Sequence, residues 1–191
     1  MIIPKILETS YPYKGKIVTI RKDKLTRDGE KTFVRETAAV ADSVAIVAVD
    51  DRNRVLLIRQ YRHPVGEPVW EIPAGRMDIE DEKPEQTALR ELQEETDTSA
   101  EKIQYLTVFG NSVGWTTEKT YVFLARGLKG VPEYDRQNEE ADIEKKWISM
   151  SKALDMVRSG QLNDAKTIIG LLLAGEYNEV FVPEVLVAAR P

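Results

Sequence analysis

The chain of 191 residues has no cysteine and a single histidine, His63. The lack of cysteine excludes disulfides, thiolate metal sites and cysteine nucleophiles. A serine–histidine triad would have to use His63, the single histidine of the chain. Long apolar runs are also missing, since the run at 168–174 is far below the roughly 20 residues of a membrane span. With no predicted signal peptide, we expect a cytoplasmic protein.

The charge balance is mildly acidic, with 27 Lys and Arg against 32 Asp and Glu and a net charge of -5. Nucleic acids and anionic membrane surfaces are therefore not expected as partners. An anionic small-molecule substrate would need a bound cation or a few well-placed arginines. The hydrophobic content of 42% is enough for the core of one domain.

The most informative segment is a run of acids in which Glu91, Glu94 and Glu95 are spaced i, i+3 and i+4. On a helix these side chains share one face, where like charges repel by a few tenths of a kcal/mol per pair. A solvated helix surface is one interpretation of this pattern. The other is a site for a hard divalent cation such as Mg²⁺, which prefers carboxylate oxygens.

Three neighbouring features favour the cation site. Glu82 lies upstream on a predicted loop and could fold back onto the same face. Arg90 can hold a carboxylate through two parallel hydrogen bonds. The Pro-Ala-Gly sequence at 73–75 turns the chain sharply between a predicted strand and this loop.

Residues 75–98 resemble the Nudix box, Gly-x5-Glu-x7-Arg-Glu-U-x-Glu-Glu-x-Gly-U, where U is bulky and apolar. Six residues, not five, separate Gly75 from Glu82. Asp97 replaces the glycine that ends the helix in a left-handed conformation, which Asp tolerates at some cost. Thr98 replaces the last apolar residue. The carboxylates and the arginine of the box are all present.

The resemblance extends to the ADP-ribose pyrophosphatase branch of the family. It is carried by Gln-Tyr-Arg-His-Pro at 60–64, Trp-Glu-Ile-Pro-Ala-Gly at 70–75 and Asp-Ala-Lys-Thr at 164–167. It implies Mg²⁺- or Mn²⁺-dependent hydrolysis of the pyrophosphate in a nucleoside diphosphate sugar, with ADP-ribose giving AMP and ribose 5-phosphate. Val113 stands where that branch usually has proline, which bears on the exact sugar nucleotide.

The same resemblance implies roles for individual residues. The metal ligands would be Glu91 and Glu95, joined by Glu94 and the Ala74 carbonyl. The substrate would be bound by Arg62, Arg35 and Glu118. The catalytic set comprises Glu94, Glu82 and Arg90 from the box, and a general base from the late acidic loop, for which we favour Glu140 over Glu139.

Other functions stay open at this point. A GDP-sugar pyrophosphatase, such as one acting on GDP-mannose, and a house-cleaning nucleoside triphosphatase are the enzymatic alternatives. A sensor that binds a nucleotide sugar without turnover is the non-catalytic one. An isopentenyl diphosphate isomerase needs cysteine chemistry, which this chain lacks.

Patterning predicts mixed strands with helices on both sides, an α/β fold with a three-layer α/β/α sandwich. We expect residues 1–14 to be irregular, because of Pro4 and Pro12. Helices are expected from Pro84 to about 96, from a Ser151 cap to about 158, and from 164 to about 174 with Gly175 at its end. The Nudix resemblance implies a dimerising β arm at 1–40 before a hydrolase domain at 41–191.

Overall fold

A computed structural model describes residues 2–132 and 142–177 of the chain. Its ten strands and three helices are, in chain order, β1 (Lys5–Lys14), β2 (Thr19–Thr26), β3 (Thr32–Ala39), β4 (Ser43–Ala48), β5 (Arg54–Arg62), β6 (Glu67–Glu71), β7 (Ala74–Arg76), α1 (Pro84–Thr96), β8 (Thr98–Gly110), β9 (Lys119–Gly130), β10 (Glu144–Ser149), α2 (Met150–Arg158) and α3 (Ala165–Tyr177). No helix in this described part is long and apolar enough to cross a membrane.

The N-terminal arm is a separate antiparallel sheet in the order β1-β2-β3. The expectation that residues 1–14 are irregular is wrong, because β1 pairs with β2 from Lys5 to Lys14. Its register shifts between Ser10 and Tyr13, the interval that contains Pro12. Proline is tolerated there because β1 is an edge strand, so its missing N–H leaves no ladder bond unmade.

Two further sheets build the core, one in the order β10-β5-β6 and one in the order β7-β4-β9-β8. β4 and β9 pair in parallel, whereas β7 pairs with β4 and β8 with β9 in antiparallel fashion. The mixed sheet expected from the sequence is therefore present. β7 is short, and it places the chain after Pro73 directly beside β4.

The α/β/α layering follows from the alternation of side chains along β4. Val44, Ile46 and Ala48 pack in one buried cluster with Ala88 and Leu92 of α1. The intervening residues belong to a second cluster, with α2 and α3 on the opposite side, whose members include Ala45, Val47, Ala153, Leu171 and Ala174. Side chains alternate between the two faces of a strand, so a wholly apolar strand is buried on both.

α1 has the bounds that the sequence predicts, and its ends explain why. Pro84 occupies the first turn, and the Gln86 side chain accepts a hydrogen bond from the Lys83 backbone N–H at 3.0 Å. Asp97 ends the helix in the left-handed conformation, with φ 54° and ψ 36°. The extra loop residue before Glu82 is accommodated by a second left-handed residue, Asp81, at φ 62°.

The last two helices differ from prediction at their ends. Ser149, not Ser151, caps α2, and its hydroxyl accepts a hydrogen bond from the Lys152 N–H at 3.2 Å. Asp164 does open α3, since its carboxylate accepts from the Thr167 N–H at 3.0 Å. Gly175 lies inside α3 and does not end it.

Candidate active site

The acidic face of α1 is turned into the protein, against β7. Glu91 and Glu95 are only 7% and 3% exposed. A solvated helix surface, one interpretation of these acids from the sequence, is therefore wrong for Glu91 and Glu95. The Glu95 carboxylate accepts a hydrogen bond from the Ala74 N–H at 2.8 Å and lies 3.4 Å from the Gln60 amide nitrogen, which donates to it. The helix face therefore lies over the turn that follows Pro73.

Gly75 is required by this close approach. A Cβ at position 75 would lie 1.9 Å from the Glu91 Cδ atom and 2.2 Å from one of its oxygens. Only glycine leaves this space to the carboxylate. The oxygens of Glu91 are thus held against the backbone at 74–75, the segment whose Ala74 carbonyl the sequence analysis includes among the ligands.

Arg90 lies at the centre of the acidic cluster. Its guanidinium donates to Glu91 Oε1 at 2.7 Å, to Glu94 Oε2 at 2.8 Å and to Glu82 Oε2 at 3.1 Å. Burial opposes the charge, but hydrogen bonds to Glu82 and Glu94 and the charge of Glu91 raise the pKa of Arg90. The hydrogen bond from Arg90 likewise lowers the pKa of Glu82. The structure thus brings Glu82 onto the same face, as the sequence suggested.

Glu95 is the most strongly perturbed acid of this cluster. Burial, reinforced by the nearby charges of Glu91 and Glu71, raises the pKa of Glu95 to about 8, although the Ala74 N–H and Arg62 act in the opposite direction. A buried carboxylate among other carboxylates is an unfavourable anion unless a cation accompanies it.

The donors present fit a hard divalent cation, because all of them are oxygens and Gly75 leaves room beside them. Within residues 2–132 and 142–177, no group of three or more acidic or histidine side chains is arranged as a formed metal site. One nitrogen of Arg90 bonds both Glu91 and Glu94. Cation binding would require these two carboxylates to be shared between Arg90 and the ion.

Three adjoining cavities open around this cluster. A cavity of about 520 Å³ is lined by the acids of α1, and by Arg62 and Arg76. A second, of about 340 Å³, shares Arg62 and Arg76 and adds Glu118 and residues 164–166. The third, of about 380 Å³, continues past Arg62 to Val65 and Val69. Together they form a region large enough for an extended ligand.

Arg62 lines all three cavities and belongs to a buried ion-pair network. It donates to both oxygens of Glu71, at 2.7 and 2.9 Å. Glu71 is 1% exposed and also accepts a hydrogen bond from Lys166. Lys166 bonds Asp164 at 3.0 Å as well. Burial opposes the Arg62 charge, but the Glu71 hydrogen bonds raise the pKa of Arg62.

Four residues without a role predicted from the sequence also line these cavities or touch the acids: Gln60, Glu71, Arg76 and Lys166. Three of them lie within the motifs quoted for the family resemblance, at 60–64, 70–75 and 164–167, so a signal was present. Nothing in the sequence indicated that Glu71 and Lys166 would meet, since 95 residues separate them.

The remaining predicted residues fall into three groups. Glu118 lines the cavity of about 340 Å³ and accepts a hydrogen bond from the Ser43 hydroxyl at 3.2 Å. Arg35 lies on β3 of the arm, with its guanidinium 4.9 Å from the centre of the Phe33 ring, and is not among the residues that line these three cavities. Glu139 and Glu140 lie outside the described residues.

Comparisons with known proteins agree on one family. A family model described as the NUDIX domain matches residues 40–168. The chain is 35% identical over 160 residues to an ADP-ribose pyrophosphatase of Mycobacterium tuberculosis, covering 84% of this chain and 77% of that protein. It is 34% identical over 155 residues to an ADP-ribose pyrophosphatase of Bacillus subtilis, covering 81% and 83%.

A solved structure described as an ADP compounds hydrolase has the same fold. It superimposes with a TM-score of 0.81 at 21% sequence identity and covers 92% of this chain and 94% of its own. The match includes the region of the N-terminal arm, because it extends over nearly the whole length of both chains.

Proposed function

The chain belongs to the Nudix family, and we propose that it is a Nudix pyrophosphatase that hydrolyses a nucleoside diphosphate sugar, with ADP-ribose as the leading candidate. The observation that carries this proposal is the α1 face on which Glu82, Arg90, Glu91, Glu94 and Glu95 lie beside cavities lined by Arg62. The relatives from Mycobacterium tuberculosis and Bacillus subtilis, at 35% and 34% identity, are both named ADP-ribose pyrophosphatases.

Glu91, Glu94, Glu95 and the Ala74 carbonyl would hold the divalent cation, which we propose is Mg²⁺ or Mn²⁺. When bound, such an ion neutralises phosphate charge and lowers the pKa of a coordinated water. Glu82 and Arg90 position the ligands: Arg90 is fixed by Glu82 and in turn fixes the carboxylates of Glu91 and Glu94. Ligand carboxylates oriented in this way need less rearrangement when the cation arrives.

Arg62 binds a phosphate of the substrate. Two hydrogen bonds to the buried Glu71 fix the plane of its guanidinium, so little side-chain entropy is lost on binding. Glu118 lines one of the cavities that Arg62 lines, where it can accept hydrogen bonds from sugar hydroxyls. Arg35 does not line these three cavities, so we propose that it reaches the substrate of a neighbouring subunit.

Hydrolysis forms a bond from a water oxygen to one phosphorus and breaks the bridging P–O bond on that phosphorus. The water proton passes to a general base, for which we propose Glu140 with Glu139 as the alternative. With ADP-ribose, the bridging oxygen leaves on one product, and the products are AMP and ribose 5-phosphate. Binding both halves of the substrate across adjoining cavities aligns the bridge with the attacking water.

We also propose that the protein is a homodimer formed through the arm. Every residue of β1 is exposed, and apolar side chains are exposed along the arm. Those at least 45% exposed there include Ile6, Leu7, Tyr11, Tyr13, Ile17 and Val34. An exposed apolar surface of this kind marks a protein–protein contact. A cytoplasmic location stays a prediction.

The substrate class is tested by incubating the protein with Mg²⁺ and a panel containing ADP-ribose, GDP-mannose, UDP-glucose and ATP. Chromatographic detection of AMP from ADP-ribose is the expected result. Faster release of GMP from GDP-mannose would select the alternative sugar nucleotide. Binding of ADP-ribose without any nucleotide product across the panel would select the sensor, and the proposed function would fail.

A further inference from the structure

Arg76 occupies the border between two of the three cavities. It is the last residue of β7, whose pairing with Ser43 of β4 fixes its backbone. Arg76 lines both the cavity that contains the α1 acids and the cavity that contains Glu118. A ligand that extends from one cavity to the other must pass it.

Arg76 differs from Arg62 and Arg90, the other arginines of these cavities, in the strength of its ion pairs with carboxylates. Arg62 is bound by the buried carboxylate of Glu71 at 2.7 and 2.9 Å. Arg90 is bound by three carboxylates. Arg76 has an ion pair with Asp78 at 3.5 Å, in which the two side chains are 41% and 51% exposed. Such an exposed, long pair contributes little and is readily exchanged for another anion.

The surrounding charge favours a further arginine at this border. Glu91, Glu94 and Glu95 line the same cavity as Arg76 and repel a diphosphate wherever the bound cation does not offset their charge. The charge of Arg90 is directed at these acids, and Arg62 divides its charge between Glu71 and the phosphate that it binds. The guanidinium of Arg76 can leave Asp78 and present two parallel N–H donors to a phosphate.

We propose that Arg76 binds the diphosphate of the nucleotide sugar at the border of the two cavities, exchanging Asp78 for substrate. This inference rests on the proposed function and adds a substrate-binding residue to it. Because the Arg76 side chain is 41% exposed and its backbone is held by β4, the side chain can be changed without disturbing the core.

The test compares Arg76→Gln with Arg158→Gln, a matched control that removes an exposed arginine paired with Asp155 at 2.9 Å on α2. Initial rates of AMP release from ADP-ribose should show KM raised about tenfold or more in Arg76→Gln, the size expected when a charged hydrogen-bonding group is lost. KM should stay within about twofold in Arg158→Gln, as expected for a surface substitution far from the site. A KM within twofold of wild type in Arg76→Gln would overturn the proposal.

Asp78→Asn removes the ion pair but keeps the Arg76 guanidinium, so it tests the role of the guanidinium separately from that of the pair. If Arg76 exchanges partners, this variant should bind substrate at least as tightly as wild type. A rise in KM equal to that of Arg76→Gln would mean that the pair acts as a unit, and it would overturn the proposal.

Failure of the proposed hydrolase function can be distinguished from failure of the proposed role of Arg76. If the wild-type protein releases no nucleotide from any substrate, the proposed function fails. If the wild-type protein turns over ADP-ribose, calorimetric titration with α,β-methylene ADP-ribose tests Arg76 alone. Weaker binding by Arg76→Gln than by Arg158→Gln supports the inference, and equal binding refutes it.

Discussion

The carboxylate of Glu91 lies directly against Gly75, so that a Cβ at position 75 would be 1.9 Å from the Glu91 Cδ atom. This contact joins the middle of α1 to the strand that follows Pro73. The position of the Glu91 carboxylate, a proposed metal ligand, therefore depends on the lack of a side chain at Gly75. Two substitutions that differ only in the space around the glycine test this dependence.

Gly75→Ala should abolish most of the hydrolase activity, because Glu91 must move away from the added methyl group. The overpacking should also lower the free energy of unfolding by about 1–3 kcal/mol. Gly130→Ala is the matched control, since nothing lies within 4 Å of a Cβ there. Urea denaturation and AMP release measure the two effects. Wild-type activity in Gly75→Ala would contradict the proposed role of Glu91.

Glu71→Ala should destabilise the fold by about 3–5 kcal/mol, because it leaves Arg62 and Lys166 without their shared buried anion. Glu67→Ala, an exposed position on the same strand, is the control and should change stability by less than about 0.5 kcal/mol. The measurement is urea denaturation at neutral pH. If Glu71→Ala lowers the free energy of unfolding no more than Glu67→Ala does, the ion-pair network does not stabilise the fold.

If Glu140 is the general base, Glu140→Gln should lower kcat and change KM much less. The substitution removes the proton acceptor and leaves the substrate contacts in place. Glu139→Gln is the paired variant and should change kcat less. Steady-state kinetics with ADP-ribose distinguish the two. The reverse order would transfer the role to Glu139, and two unaffected variants would exclude the loop as its source.

The joint substitution of Ile6 and Leu7 by Asp should convert the dimer into a monomer, because it places charge on the exposed apolar surface of β1. Removal of residues 1–40 should have the same effect. Leu172→Asp, on an exposed leucine outside the arm, should leave the dimer intact. Light scattering after gel filtration gives the masses. A monomeric wild-type protein would contradict the proposed dimer.

The sequence allowed the bounds of α1 to be predicted because its two ends carry local signals, Pro84 at the start and Asp97 at the left-handed terminus. The alternation of two buried faces along β4 follows in the same way from an uninterrupted apolar strand. These features depend on nearest neighbours in the chain, so a single sequence contains them.

β1 could not be predicted because Pro4, just before the strand, and Pro12, within it, are breakers in most contexts. Pro12 is tolerated here because the strand has one neighbour and an open edge. Whether a strand lies at the edge depends on the order of strands in the sheet, which local sequence patterns do not predict. The true cap of α2 was missed for a smaller reason: Ser149 and Ser151 are both suitable residues two positions apart.

The site shows the same division between local and long-range information. The shared face of Glu91, Glu94 and Glu95 follows from helical spacing. The burial of Glu95 does not, because it depends on the Ala74 N–H across the turn. The link from Arg62 through Glu71 to Lys166 likewise joins distant segments of the chain, and only the folded structure reveals it.

Glu95 is the central proposed ligand of the catalytic cation, and the rate of AMP release from ADP-ribose in saturating Mg²⁺ tests this role directly. Glu95→Gln keeps the side-chain volume and should lower this rate by about two orders of magnitude or more, since the buried negative donor is lost. Glu85→Gln, on the exposed first turn of the same helix, should retain the wild-type rate. A Glu95→Gln protein that is folded and as active as Glu85→Gln would contradict the account.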